Sequence, residues 1–418
     1  MTQLHIPSRR ELLLGSAALF AWAHLPRLAR AEGRDPRFLT IVLRGALDGL
    51  AAVAPVGDPD WVSLRGDEAL TLDGKTPALK LDDFFALNPG MPNLHRMFAA
   101  NEAIIVHAAA TSYRERSHFD GQDVLESGLE KPTPMATGWL NRLLAGLSPE
   151  GQVARGKSNG GRLLGVGTVT PLVVRGPAPV LPWSPRRTLP ASDDTIARLL
   201  DLYRHTDTDF ARVIEGRTRL TAIAQAGGME QKPNGPLASF DTAQLRAYFA
   251  DAVGTAAKFL AQPDGPRVGA LAVGGWDTHY NEGVATGQLA QLLGALDAAL
   301  GAARDNMGPA WRETVVVLVT EFGRTARING TSGTDHGTGT VMLLAGGALK
   351  GGRVIADWPG LRAANLLENR DLKPTTDVRA VLKGLLKDHL RADERTLATD
   401  VFPGSGDVKP IGGLVAAA

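Results

Sequence analysis

The sequence predicts an α/β fold, a mostly parallel sheet with helices on both faces, and three observations carry that prediction. Short, unbroken apolar runs rich in β-branched residues recur along the chain, long segments with helical periodicity separate them, and polar residues of catalytic type lie beside their ends. A strand buried on both faces has no polar side, so it reads as a continuous apolar run rather than an alternating one. Strands that alternate with helices favour parallel pairing, because each crossover returns the chain to the edge it started from.

The chain opens on Ser8-Arg9-Arg10-Glu11-Leu12-Leu13-Leu14, continues as an apolar stretch to Leu25 and reaches Ala29-Arg30-Ala31. A charged start, a short apolar middle and a small-residue cleavage site, in that order, predict a twin-arginine export signal over residues 1–31. The expected partner at this stage is the twin-arginine translocase, and the expected location of a mature single domain, residues 32–418, is periplasmic or secreted. Crossing a bilayer takes roughly 20 uninterrupted apolar residues, and His24 and Pro26 interrupt this stretch. No stable membrane anchor is expected. Removing the leader takes away four arginines and one glutamate, so the formal charge goes from +1 to −2. That balance leaves no basic footprint for nucleic acid. The absence of cysteine excludes disulfides, cysteine nucleophiles and thiolate metal sites.

The first run covers residues 38–43 (FLTIVL), and the others 103–108, 268–273, 314–320 and 340–345. Leu289, Leu292, Leu293, Leu296 and Leu300 repeat at the spacing of one helical face. Residues 150–190 turn to Gly, Pro and Arg and read as an irregular excursion, while 192–263 read as helical and suited to a cap. Together they make an insertion around 130–263. Asp377, after Pro374-Thr375-Thr376, caps a terminal helix with Val378, Val381, Leu382 and Leu385 on its apolar face.

In a parallel sheet the site lies beyond the carboxyl ends of the strands. Asp48 follows the first run, and Ser117, His118, Asp120 and Asp123 follow the second. Asp277 and His279 end the third, Glu321 ends the fourth, and Asp335-His336 precedes the fifth. Each also has a local explanation. Asp48-Gly49 and Asp335-His336-Gly337 suit turns, Ser117 suits a helix N-cap, and Glu321 with Arg324 suits an ion pair. Only nine histidines exist, however, and three of them fall beside carboxylates at proposed strand ends. Carboxylates and imidazoles without thiolates fit one or two divalent ions of the Zn, Mn, Mg or Ca type. Such ions neutralise charge on a transferred phosphoryl or sulfuryl group.

The ordered motifs Leu47-Asp48-Gly49-Leu50, Arg116-Ser117-His118-Phe119-Asp120, Gly275-Trp276-Asp277-Thr278-His279 and Thr320-Glu321-Phe322-Gly323-Arg324-Thr325 resemble the DUF1501 family of twin-arginine-exported proteins. So do Gly333-Thr334-Asp335-His336-Gly337, Gly351-Gly352-Arg353 and Pro374-Thr375-Thr376-Asp377. The resemblance implies an alkaline phosphatase/sulfatase-like fold with two metals beside a nucleophile. It assigns Asp48 to the metal nearer the nucleophile, and Asp277, His279 and His336 to the other. Glu321 takes the place of an Asp-His pair in which Phe322 supplies no ligand. Asp335 or His118 then makes up the loss, or that site binds a metal weakly or not at all. Ser117 is the candidate nucleophile at a helix N-terminus, with Thr111 and Ser112 as rivals, and Arg116 and Arg324 are candidate donors to substrate oxygens. The expected function is an exported metal-dependent hydrolase acting on a small anionic phosphate or sulfate ester. The alternative is a non-catalytic periplasmic binding or scaffolding protein on the same fold.

Overall fold

A computed structural model of the chain describes residues 34–134, 136–146, 163–167, 169–183, 193–208, 211–212, 214–216 and 242–416. The expected leader at 1–31 lies outside the described residues, as do parts of the expected insertion at 130–263. The main sheet consists of β1 Arg37–Leu43, β2 Ala103–Ala110, β3 Leu163–Val166, β4 Val180–Trp183, β5 Val268–Val273, β6 Thr314–Val319, β7 Thr340–Ala345, β8 Arg353–Ile355 and β9 Thr376–Asp377. Their order is β8-β2-β7-β6-β1-β5-β3-β4, with β9 also paired to β2. Strand β7 is antiparallel to both its neighbours, and every other pairing in the sheet is parallel.

All five apolar runs are strands, which confirms the mostly parallel sheet. The excursion at 150–190 is less irregular than its composition suggests. Strands β3 and β4 extend the sheet there. Both faces are covered. Leu39, Ile41 and Leu43 of β1 join a core with Phe249, Val253 and Leu260 of helix Thr242–Ala261 and with Leu289, Leu293 and Leu296 of helix Gln288–Met307. Phe38 and Val42, pointing the other way, meet Val381, Leu382 and Leu385 of helix Val378–Leu390. Residues 242–261, expected in a cap, therefore form one of the covering layers. The terminal helix begins where expected, and the Asp377 carboxylate accepts the Arg379 amide at 2.8 Å. Among the described residues no helix is long and apolar enough to cross a membrane.

Two local features shape the site edge. Because β7 runs backwards, the residues before it stand at the edge where β1, β2, β5 and β6 end, so His336 meets residues that follow the other strands. The loop after β1 reaches the loop after β5 through Gly45, whose φ is +118°; a Cβ there would lie 2.7 Å from the Asp277 amide nitrogen. Only glycine permits that approach.

Strand β2 bulges where His107 and Ala108 together oppose Val341, and Ala108 takes φ +51°. The His107 ring is fully buried. Its Nδ1 accepts the Ala108 amide at 2.8 Å and its Nε2 donates to the Val53 carbonyl at 2.9 Å. Burial pushes its pKa down to about 4. Between pH 6.5 and 4 the unfolded chain therefore binds a proton that the folded chain refuses, and stability falls as pH falls through that window, by roughly 3 kcal/mol in all. His107→Gln lowers stability at pH 7 but flattens this acid limb in denaturant titrations run from pH 7 to 4. An unchanged slope in the variant would assign the acid limb to other groups.

Candidate metal centre

Helix α1, His118–Ser127, starts eight residues after the end of β2 and projects His118 over the strand ends. The His118 Nε2 atom lies 3.0 Å from His336 Nε2, which in turn lies 3.0 Å from His279 Nε2. The Asp277 carboxylate approaches all three rings, at 3.3 Å from His118, 3.0 Å from His279 and 3.2 Å from His336. The ligand atoms of His118, Asp277 and His336 all lie within 4.8 Å of one another, and His279 adjoins them.

What orients these rings decides what they can bind. His118 Nδ1 donates to Glu321 Oε1 at 2.9 Å, His336 Nδ1 to the Arg116 carbonyl at 2.9 Å, and His279 Nδ1 to Asp335 Oδ1 at 3.3 Å. Each acceptor is an oxygen, so each ring carries its proton on Nδ1 and turns Nε2 toward the others. Neutral imidazoles so arranged would crowd three lone pairs and a carboxylate together. Either extra protons or a cation must fill the space. Donors around one small divalent cation at about 2.0–2.2 Å stand roughly 3–3.5 Å from one another, which is the spacing seen. An outer hydrogen bond on every ligating histidine is what a metal site uses to fix its tautomers. The residues fit a divalent ion.

Electrostatics agree. Hydrogen bonds to Asp277 and Glu321 push His118 up to about 9, so without a cation this imidazole holds a proton of its own. Burial pushes the Asp277 carboxyl upward, but hydrogen bonds from His118 and Arg324 and the charge of Arg324 outweigh it and hold it far below the usual carboxylate range. Side-chain exposure rises from 23% at His118 to 45% at His279, so the cluster opens to solvent on the His279 side.

Several expected site residues do other work. Asp48 places both carboxylate oxygens on Arg65, at 2.6 and 3.1 Å, and also accepts the Leu50 and Ala51 amides; both side chains of the pair are buried. The guanidinium occupies the place at Asp48 where the resemblance implies a metal. Glu321 is fully buried and accepts from the Gly45 amide, His118 and Gln122, so its carboxylate fixes the His118 ring and is already supplied with donors. Asp335 likewise supports His279 from behind. Phe322 stacks on His118 at 5.0 Å and packs beside Gly121 of α1, forming an apolar floor where a second ion would need donors. Arg324, 1% exposed, is held by Asp277 and Thr334, and Arg116 by Asp371 and Glu368, so neither guanidinium is turned toward a substrate.

Ser117 is the N-cap of α1, yet its side chain makes no capping bond. Its rivals are occupied. Ser112 Oγ donates to the Glu130 carbonyl at 2.6 Å, and Thr111 is buried, with Oγ1 between the Glu321 carbonyl and the Tyr113 amide. Three participants carried no signal in the sequence. Arg65 and Asp371 sit in no catalytic-looking pattern, and Glu282 follows His279 only as an isolated acid. Glu282 accepts from Thr278 and Thr334 at 2.8 and 3.0 Å, and burial, with Asp48 nearby, pushes it up to about 8.

A family model described as "protein of unknown function (DUF1501)" matches residues 73–402. The chain belongs to the DUF1501 family. The four cluster residues all lie within the matched span, whereas Asp48 and Arg65 precede it. No curated protein matches the DUF1501 chain. Among solved structures it is similar to Ps i-CgsB in complex with k-i-k-neocarrahexaose, at 10% identity and TM-score 0.41, over 90% of this chain and 77% of that one. It is also similar to the phosphonate monoester hydrolase of Agrobacterium radiobacter, at 13% identity and TM-score 0.40, over 86% and 74%. The PsFucS1 sulfatase from Pseudoalteromonas sp. is similar at 13% identity and TM-score 0.35, over 84% and 68%.

The two carboxylates at neighbouring strand ends should separate cleanly on mutation. In this DUF1501 chain, Asp48→Ala strands a buried guanidinium and costs about 3–5 kcal/mol of stability, with metal content unchanged. Glu321→Gln loses the charged acceptor that fixes His118 and weakens metal binding about 10- to 100-fold. Denaturant titration and metal-binding calorimetry on both variants read the difference, and loss of a metal equivalent in Asp48→Ala would restore the two-ion arrangement.

Proposed function

We propose that this protein is an exported hydrolase of phosphate or sulfate esters that works with one divalent cation. His118, Asp277 and His336 would hold the ion, with His279 as a fourth donor or as the proton-transferring group beside it. The observation that carries the reading is the set of three imidazoles whose Nδ1 atoms are all engaged by oxygens, leaving three Nε2 atoms and a carboxylate facing one point. When bound, the ion supplies a Lewis acid that draws charge from a phosphoryl or sulfuryl oxygen.

The chain's own residues supply the rest. Ser117, beside the ligand His118 and at the start of a ten-residue helix, is the nucleophile in this proposal. The positive end of the helix favours both its alkoxide and the anion it attacks. As the Ser117 Oγ bond to phosphorus or sulfur forms, the ester oxygen departs and takes up a proton; water then releases the serine ester. His279, backed by Asp335 and the most open of the three rings, is the proton carrier. Arg324 keeps Asp277 ionised and in place. Export of the folded domain through Arg9-Arg10 belongs to the same proposal, and Arg9→Lys with Arg10→Lys should leave the precursor in the cytoplasm on fractionation.

A closed set of three imidazoles and one carboxylate also satisfies a structural ion, and that favours the binding-protein alternative. Activity measurements decide between them. The protein loaded with zinc, manganese, magnesium or calcium should turn over p-nitrophenyl phosphate or sulfate. Ser117→Ala should keep its metal equivalent and lose at least about a thousandfold in kcat. One bound ion with no turnover on phosphate, sulfate or phosphonate esters selects the binding reading, and full activity in Ser117→Ala excludes Ser117 as the nucleophile.

A further inference from the structure

Arg116 is the residue before the candidate nucleophile, and its backbone is unusual. It takes φ +61°, the left-handed region that L residues other than Asn and Asp rarely occupy. In that conformation its carbonyl accepts His336 Nδ1 at 2.9 Å. No other acceptor for this nitrogen is seen among the described residues, so the carbonyl alone sets the His336 tautomer.

The side chain explains why the strained backbone persists. Arg116 Nε donates to Asp371 Oδ2 at 2.9 Å, and Nη2 donates to Glu368 Oε2 at 2.7 Å. Asp371 is fully buried, and its Oδ2 also accepts the Thr338 hydroxyl at 2.8 Å. Both carboxylates belong to a tight turn in which Glu368 and Asn369 are themselves left-handed, at φ +55° and +54°. The Asp371 amide closes that turn on the Leu367 carbonyl at 3.0 Å. Arg370 of the same turn donates Nη2 to the His336 carbonyl at 2.7 Å. One turn thus grips the histidine from its backbone and the histidine's hydrogen-bond acceptor from its side chain. A residue kept in a sparsely populated conformation by surrounding contacts is a recognised device at functional sites.

We infer that Arg116 is a positioning residue for the cluster, held by Asp371 and Glu368 so that its carbonyl keeps the His336 proton on Nδ1 and aims Nε2 at the shared point. This inference rests on reading the cluster as a metal centre, but the proton position can be observed without metal. In Arg116→Ala the backbone is no longer held and alanine disfavours the left-handed region. Zinc affinity should fall about 10- to 100-fold, and nitrogen NMR of the metal-free protein should show His336 losing its fixed Nδ1–H form. Arg116→Gly adopts the left-handed region without strain and should recover part of both readouts. Asp371→Asn should weaken zinc binding in the wild-type background and have no further effect in Arg116→Gly.

A merely structural role would lower melting temperature in all three variants with the tautomer and zinc affinity unmoved, and that result overturns the inference. So does equal weakening in Arg116→Ala and Arg116→Gly with the tautomer retained, since the guanidinium and not the carbonyl would then be acting. A wild type that shows a fixed Nδ1–H at His336 but binds no zinc, manganese or magnesium would sink the metal reading and leave the positioning by Arg116 standing.

Discussion

The buried carboxylate of Glu321 joins three pieces of chain. It takes the Gly45 amide from the loop after β1, the His118 imidazole and the Gln122 side chain from α1, and the hydroxyl of its neighbour Thr320 at the end of β6. A fully buried carboxylate is costly unless its oxygens are satisfied. Here they are, and hydrogen bonding from His118 and the other donors outweighs burial enough to keep the group more acidic than usual. The loop it fixes includes Gly45, which lies against Asp277. The helix it fixes begins with His118, and Ser117 holds its N-cap position. One carboxylate thereby fixes the loop after β1, which lies against the loop after β5, and the direction of the His118 imidazole.

The same logic separates two charge systems a few residues apart. Asp48, Arg65 and Glu282 make one, closed from water and balanced internally, with Glu282 pushed toward its neutral form by burial. Asp277, His118, His279 and His336 make the other, which opens to solvent and has donors turned inward. Thr334 stands between them, its hydroxyl donating to Glu282 and accepting from Arg324. A guanidinium is a fixed cation with planar, directed donors. It stabilises a buried carboxylate without the open coordination that chemistry requires. At Asp48 the fold uses such a fixed charge, and at Asp277 it assembles groups suited to an exchangeable one.

How much of this was legible depended on the range of the interactions. The strands were readable because burial on both faces writes a local signature, as in residues 38–43 and 314–320. Strands β3 and β4 were missed because four residues each, among glycines and prolines, are too short to show it. His118, Asp277, His279 and His336 stood out by composition, since imidazoles beside carboxylates are scarce in this chain. Their arrangement was not readable. It depends on the reversal of β7, which no local pattern announces, and on Nδ1 partners up to 220 residues distant in sequence. Asp48 looked like its neighbours in every local respect. Arg65, only 17 residues away but in an unremarkable helical turn, changes what it does. Arg116 was legible as a cation near the site, and its left-handed backbone was not.

The separation in sequence bears on the export of a folded domain proposed above. The four cluster residues span positions 118 to 336, and their orienting partners extend to Asp371. None of the three imidazoles is fixed by a neighbour in its own helix or loop. His118 depends on β6, His279 on the loop before β7, and His336 on the turn after β2. In an unfolded chain these groups have no common centre, so a cation that binds the native cluster adds its binding free energy to folding. An ion acquired before transport would therefore stabilise the very state that a translocase of folded proteins accepts. On the proposed reading, a metal-binding cluster and an export signal at Arg9-Arg10 would together impose one order of events, in which the sheet forms, the imidazoles are fixed, the ion binds and the chain leaves.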